Sequence, residues 1–210
     1  MNLSARIYCA AVIAPGALLL LWSLASLHSE SPLRLVAYML SAALLATFKM
    51  RLPGVTATVS GASLVVFAGV AQLTLPETVL IAMSAALGQC LWNYRRRPLP
   101  VQVAFSVAAL MISAAVTFAC QAKLAVLLGI PSLAALVFCS SAIYFLVNTA
   151  LIAGALAATE FRPPLRIWKQ LYLWTLPHYI VGAVVGGTLA DASARASWFL
   201  VLATMPVAYY

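Results

Sequence analysis

Long apolar stretches alternate with short polar breaks along the chain, and proline or a charged residue marks each break. The stretches approach the roughly 20 residues that a helix needs to cross about 30 Å of hydrocarbon, whereas barrel strands alternate over about ten residues. The pattern therefore predicts an all-α, polytopic transmembrane helix bundle of about eight spans. The predicted spans are Ile7–Leu27, Leu33–Phe48, Ala57–Leu75, Glu77–Trp92, Val101–Ala122, Pro131–Ala158, Leu171–Ala190 and Ala196–Tyr210. Since no soluble domain fits between them, residues 1–210 are predicted to form one integral-membrane domain.

Two parts of this plan leave alternatives open. The third and fourth spans could form a broken pair instead of two full crossings, because only a short connection around Pro76 separates them. The last span, Ala196–Tyr210, is shorter than the usual crossing and has no basic flank. It looks like the end of a piece cut from a longer protein.

Composition supports the membrane assignment. Apolar residues make up 65% of the chain and charged residues 8%, against roughly 45–50% and about 25% in soluble domains. The net charge of +8 does not indicate a nucleic-acid partner, because the basic residues stand in short loops where they set topology. The lipid bilayer is the predicted surrounding.

The distribution of basic residues predicts the orientation. With a cytoplasmic N-terminus and eight spans, nine of the 12 basic residues fall on the cytoplasmic side and three on the other. This asymmetry agrees with the positive-inside rule, so both termini are predicted to be cytoplasmic in a bacterial inner membrane. The sharpest basic cluster, Arg95–Arg97, follows Trp92 and is interpreted as a membrane anchor.

The sequence offers no sign of catalysis. Its four acidic residues all stand at predicted span ends or in loops, so no acidic cluster could hold magnesium and no carboxylate lies in mid-membrane. The four cysteines form no CxxC pair, which gives no support to a metal site or a disulfide framework. Ser63 and His178 supply the residue types of a serine hydrolase, but that pairing is common by chance in a serine-rich chain. We therefore expect no enzyme activity, no metal and no cofactor.

The stretch Trp168–Gly187 collects the chain's unusual residues. Pro177 predicts a kink that places His178 at the bend, because proline removes a helical hydrogen bond. Gly182 and Gly186 have GxxxG spacing and predict close contact with another helix, for which the final span is the candidate. The alternative is a kinked packing helix whose histidine bonds a neighbouring carbonyl.

Neutral polar residues within the predicted spans indicate where a ligand could bind. Asn148 is the most conspicuous of them, because it lies in mid-span, and each such group needs a hydrogen-bond partner in lipid. One interpretation is that these residues join helices to one another. The other is a largely apolar cavity for a small apolar or amphipathic ligand, among spans four, six and seven. Its predicted lining is His178, Asn148, Trp174, Tyr179, Gln89 and Trp92.

Five short motifs occur in an order that resembles a known family. They are Lys49–Gly54 (KMRLPG), Leu75–Val79 (LPETV), Arg97–Gln102 (RPLPVQ), Tyr144–Asn148 (YFLVN) and Trp174–Tyr179 (WTLPHY). In this order the chain resembles the MASE-like integral-membrane sensory domains that precede GGDEF, EAL or HD effector domains in bacterial signalling proteins. The resemblance implies a sensor that passes a signal to a cytoplasmic effector of cyclic-di-GMP signalling after the last helix. A homodimer is compatible with this plan.

A second resemblance implies a different class. The segment Leu52–Thr56 (LPGVT), with the apolar span after it, is similar to the corresponding part of vitamin-binding S components of energy-coupling factor transporters. That resemblance implies a nutrient-binding membrane component with a partner ATPase.

Overall fold

The computed structural model describes residues 2–47, 49–51, 58–92, 98–128, 133–161, 163–171 and 175–195. These residues form eight helices and a two-stranded antiparallel hairpin. The elements are α1 (Leu3–Ala25), α2 (Pro32–Thr47), β1 (Lys49–Arg51), β2 (Thr58–Ser60), α3 (Ala62–Gln72), α4 (Leu75–Leu91), α5 (Pro100–Leu128), α6 (Leu133–Glu160), α7 (Pro164–Leu171) and α8 (Leu176–Arg195). The predicted helical class is confirmed. Within the described residues, the hairpin is the one element that the all-α prediction did not include.

Three of the described helices are long and apolar enough to cross a membrane, namely Leu3–Ala25, Pro100–Leu124 and Leu136–Glu160. Three shorter helices, α2, α3 and α4, are also apolar. The structure therefore does not confirm eight spans. The predicted last span, Ala196–Tyr210, lies outside the described residues.

Five of the described prolines stand in the first turn of a helix, whereas Pro15 lies inside α1. Pro32, Pro100 and Pro164 are the first residues of α2, α5 and α7, and Pro76 and Pro177 are the second residues of α4 and α8. A proline in the first turn costs no hydrogen bond, because the amide there has no partner within the helix. The predicted kink at Pro177 is therefore wrong, because α8 begins at Leu176, one residue before this proline; residues 172–174 of the predicted span lie outside the described residues.

The bundle has two ends that hydrogen bonds define. At one end, which we call the Asn2 end, the Asn2 side chain accepts from the amide of Ala5 at 2.9 Å and donates to the carbonyl of Ala158 at 2.8 Å. These bonds cap the start of α1 and tie it to the end of α6. Farther along α1, the Tyr8 hydroxyl donates to the carbonyl of Leu151 at 3.0 Å.

At the opposite end, which we call the Arg34 end, polar side chains join the starts of α2 and α4 to the end of α3. The Arg34 guanidinium and the Tyr38 hydroxyl donate to Gln72 Oε1 at 2.5 and 3.1 Å. Glu77, only 5% exposed, accepts from the hydroxyl of Ser29 at 2.6 Å and from the amide and hydroxyl of Thr74 at 2.9 and 2.8 Å. This carboxylate therefore closes the turn between α3 and α4.

Glycines allow three close helix contacts. A Cβ added at Gly16 would lie 2.4 Å from the Cβ of Ala108, and one at Gly88 would lie 2.6 Å from the carbonyl oxygen of Ala43. A Cβ at Gly154 would meet the Tyr8 hydroxyl. These positions bring α1 against α5, α4 against α2, and α6 against α1, because only a hydrogen atom fits there.

The short helix α3 lies at the centre of the main core. All nine residues from Ala62 to Val70 are buried, and α3 packs against α2, α4, α5, α6 and α8. Its 11 residues rise only about 16 Å, far short of a membrane crossing. The predicted third span, Ala57–Leu75, is therefore wrong as a full crossing, because Thr58–Ser60 pairs with Lys49–Arg51 before α3 begins.

Alanine at Gly88 should destabilise the protein by about 1–3 kcal/mol, because the new methyl group would press on the backbone of Ala43. Melting of the purified protein in detergent measures this change. The matched control is Gly182→Ala, where the added Cβ would make contacts of 3.6 Å or more, and where alanine should be neutral or stabilising by up to about 1 kcal/mol. Equal melting temperatures for the two variants would contradict this account of the α2–α4 contact.

Removal of the Glu77 carboxylate should cost about 1–3 kcal/mol, because it leaves the donors of Ser29 and Thr74 without their acceptor. We expect Glu77→Ala to melt below the wild type. Glu30→Ala changes the charge equally, but Glu30 is exposed, so its effect should stay within about 0.5 kcal/mol. Similar losses in both variants would mean that charge, and not the closed turn, matters.

Candidate functional site

Asn148 and Tyr179 meet in the interior of the bundle. The Asn148 amide nitrogen donates to the Tyr179 hydroxyl at 3.2 Å, which joins α6 to the first turn of α8. Asn148 is only 7% exposed, and its Oδ1 is buried without a hydrogen-bond partner. Exchanging the oxygen and nitrogen of the amide would leave the other atom in the same position, so one polar atom stays unmatched in either assignment.

Aromatic rings surround this pair. Tyr144, one turn before Asn148 on α6, packs edge-on against Phe67 of α3, with 5.4 Å between ring centroids. Tyr179 lies 6.2 Å from Tyr144 and 5.2 Å from Phe145. The rings of α3, α6 and α8 thus form one continuous group, which we call the three-helix junction.

A neighbouring pair shows how a matched polar contact looks in the same bundle. The Trp168 indole N–H on α7 donates to the Thr149 hydroxyl at 2.8 Å, and that hydroxyl donates to the carbonyl of Phe145 at 2.5 Å. Each polar hydrogen of this pair has an acceptor, so it fastens α7 to α6. Asn148, one residue away from Thr149, is not matched in this way.

Ser63 supplies a second unmatched polar atom at the junction. It lies in the first turn of α3, is 9% exposed, and its Oγ is buried without a partner. A Cβ added at Gly182 of α8 would lie 3.6 Å from this oxygen and 3.9 Å from the ring of Phe67. Ser63, Phe67 and Gly182 therefore line one side of the junction, where α3 faces α8.

The structure brings together two of the six predicted lining residues, Asn148 and Tyr179. Gln89 and Trp92 belong to α4 and its end, and α4 packs against α1, α2, α3 and α5. Trp92 is 60% exposed. The third helix of the junction is α3 and not the predicted fourth span, because α3 packs beside both α6 and α8.

The remaining predicted lining residues are only partly described. His178 lies in the first turn of α8, but its side chain is outside the described residues, as is the whole of Trp174. A ligand-binding role for all six residues stays a prediction.

The GxxxG spacing predicted that Gly182 allows a close approach of another helix, and the structure shows no such close approach at this residue. Its neighbours are Ser63, Leu64 and Phe67 of α3, at ordinary van der Waals distances from an added Cβ. The predicted contact with the final span involves residues outside the described ones. In the described part of the chain, close helix approach instead uses Gly16, Gly88 and Gly154.

Sequence reasoning missed Ser63 and Phe67 as junction residues. The relevant signal is their spacing: Ser63 and Phe67 are four residues apart on α3, as Tyr144 and Asn148 are on α6, and residues so spaced share a helix face. Within the described residues, no group of three His, Cys, Asp or Glu side chains could hold a metal ion.

Comparison with known proteins gives no match to any family model, curated protein or solved structure. The resemblance to membrane sensory domains therefore rests on its short motifs, and the site is interpreted from its own chemistry.

Leucine at position 148 should leave stability unchanged or raise it, because it removes an unmatched buried acceptor at the cost of one long hydrogen bond. By contrast, Thr149→Val should lower stability by about 1–3 kcal/mol, since the Trp168 N–H loses its acceptor. Melting of both variants in detergent tests this difference. A loss for Asn148→Leu as large as that for Thr149→Val would show that Asn148 joins the helices structurally.

Proposed function

We propose that this protein is a membrane-embedded sensory domain that binds a small molecule at the three-helix junction and relays the event to a cytoplasmic effector. The single observation that carries the proposal is the unmatched Oδ1 of Asn148. Buried polar atoms are nearly always hydrogen-bonded, and the exceptions often have a functional role. A ligand donor would complete this amide, whereas a purely structural amide would be fully matched within the bundle.

A membrane location agrees with the outer surface of the bundle. Large apolar side chains on α1 and α2, among them Leu18, Leu21, Leu40 and Leu44, are more than half exposed. Such a surface is compatible with lipid, because exposed apolar side chains are unfavourable in water but not against hydrocarbon chains. Together with three helices of spanning length, it supports a membrane location. The proposed place in the bacterial inner membrane, with both termini in the cytoplasm, rests on the distribution of basic residues.

The relay would act through α8. This helix carries Tyr179 and Gly182 on the face that meets α6 and α3, and the residues after its end at Arg195 would connect it to the proposed effector. A ligand at the junction contacts α8 directly, so it biases the position of α8 according to its different affinities for the two positions. Because Pro177 begins α8, the helix would move as a whole instead of bending.

The test joins the full chain, at Tyr210, to a diguanylate cyclase catalytic domain and measures cyclic-di-GMP in cells. We expect Asn148→Leu to change output by a factor of about three or more, since a shift of roughly 0.7 kcal/mol in a two-position equilibrium has that effect. Ser84→Ala is the control, because its buried hydroxyl bonds the carbonyls of Ile81 and Met39 where α4 meets α2, whereas the junction is formed by α3, α6 and α8. Protein amounts are matched by immunoblot.

Equal cyclic-di-GMP output from the wild type and Asn148→Leu would contradict the sensory proposal. Retention of an ATPase module on the chain purified from its own membranes would also contradict it and favour the transporter class.

A further inference from the structure

Ser63 is unusual among the buried hydroxyls of this bundle. Most others donate to a carbonyl one turn earlier in the same helix, as Ser84, Ser113, Thr117, Ser140 and Thr149 do. Ser63 has no such carbonyl within α3, because the residues three and four positions before it belong to strand β2. Its hydroxyl is therefore left for a group outside its own helix.

The two unmatched atoms of the junction belong to residues on the same side of one aromatic pair, toward the Asn2 end, because α3 runs away from that end and α6 runs toward it. Ser63 shares a face of α3 with Phe67, and Asn148 shares a face of α6 with Tyr144. The rings of Phe67 and Tyr144 are in contact with each other. One bound molecule that contacts these rings would therefore reach toward both polar atoms.

The packing of α3 against α8 is looser here than at the close helix contacts. An added Cβ at Gly182 would find its nearest neighbour, Ser63 Oγ, at 3.6 Å, against 2.4 Å at Gly16 and 2.6 Å at Gly88. A methyl group thus fits beside Ser63 without displacing any atom. A larger group requires α8 to move away from α3 by about the 3.5 Å of a van der Waals contact.

The chemistry of the junction restricts its ligand. With the Asn148 amide nitrogen donating to Tyr179, its Oδ1 is the free acceptor and requires an N–H or O–H donor. The residues that form the junction, including Ser63, Phe67, Tyr144 and Tyr179, carry no charge at neutral pH. A charged ligand would lose its hydration without gaining a partner of opposite charge among these side chains, so they favour a neutral one. Aromatic walls favour a planar unsaturated ring.

From these observations we propose that the junction binds a neutral, planar ring compound whose N–H or O–H group donates to Asn148 Oδ1, and that its entry separates α8 from α3. This inference rests on the proposed sensory function and adds the chemical class of the ligand. Ser63 would contact a second polar atom of the ligand where one is present.

Two probes that differ only at the ring nitrogen test the proposal on the full chain in detergent. Indole has an aromatic ring with an N–H, and 1-methylindole has the same ring with the donor replaced by a methyl group. Equilibrium dialysis against matched micelles without protein measures saturable binding of each. We expect indole to bind roughly five- to tenfold more tightly, since an unmatched buried acceptor costs about that factor.

Two variants locate the preference. Asn148→Leu should abolish the difference between the probes, and Ser84→Ala, which changes a buried hydroxyl between α4 and α2, should retain it. Equal binding of the two probes to the wild type, or a preference that survives in Asn148→Leu, would overturn the proposal. The comparison of probes on the wild type stands even if a variant fails to fold.

The outcome is separate from that of the sensory test. A cyclic-di-GMP response to Asn148→Leu without any preference for indole would overturn the ligand class and leave the sensory function standing. A preference for indole without a cyclic-di-GMP response would support the site and contradict the relay.

Discussion

The fold depends on burying a helix too short to cross the bundle. Helix α3 exposes almost none of its surface from Ala62 to Val70, so five other helices must surround it. Non-helical backbone deep in an apolar environment is tolerated only where protein covers it. The hairpin of β1 and β2, which leads into α3, and the turn that leads out of it are therefore the two places where the bundle has to accommodate polar groups.

These two places are treated differently. At the Arg34 end, Gln72 and Glu77 accept from four side chains and one backbone amide, which fixes the exit from α3. At the entry to α3, the N-cap residue Gly61 provides no side-chain hydrogen bond, and Ser63 Oγ has no hydrogen-bond partner. One end of α3 is thus anchored and the other is left incomplete beside the aromatic rings. Unsatisfied groups of this kind are expected at functional sites and are costly elsewhere.

The sequence predicted the longer elements well, since long apolar runs bounded by proline indicate helices such as α5 and α6. The sequence-based prediction failed where the length of a helix or its packing partners determine the local structure. Thr58–Ser60 directly precedes a long apolar run and so falls within the predicted span, yet it forms a strand that pairs with Lys49–Arg51 before the 11-residue α3 begins. The sequence around Pro177 fits both a kink within a helix and the first turn of a new helix. The start of α8 at Leu176 shows that the second is the case.

The candidate site was predictable in its polar residues but not in its geometry. Asn148 attracts attention because an amide in an apolar run needs a partner, and the structure supplies Tyr179. Gln89 had the same local signal, but its helix packs elsewhere, and no sequence pattern distinguishes the two. The position of α3 separates the two residues. Phe67 of α3 packs against Tyr144 on the helix of Asn148, and because α3 begins at Ala62, its first turn, with Ser63, forms one face of the junction. The same shortness that makes α3 a poor membrane span therefore creates the polar, loosely packed position at which α3 meets α8.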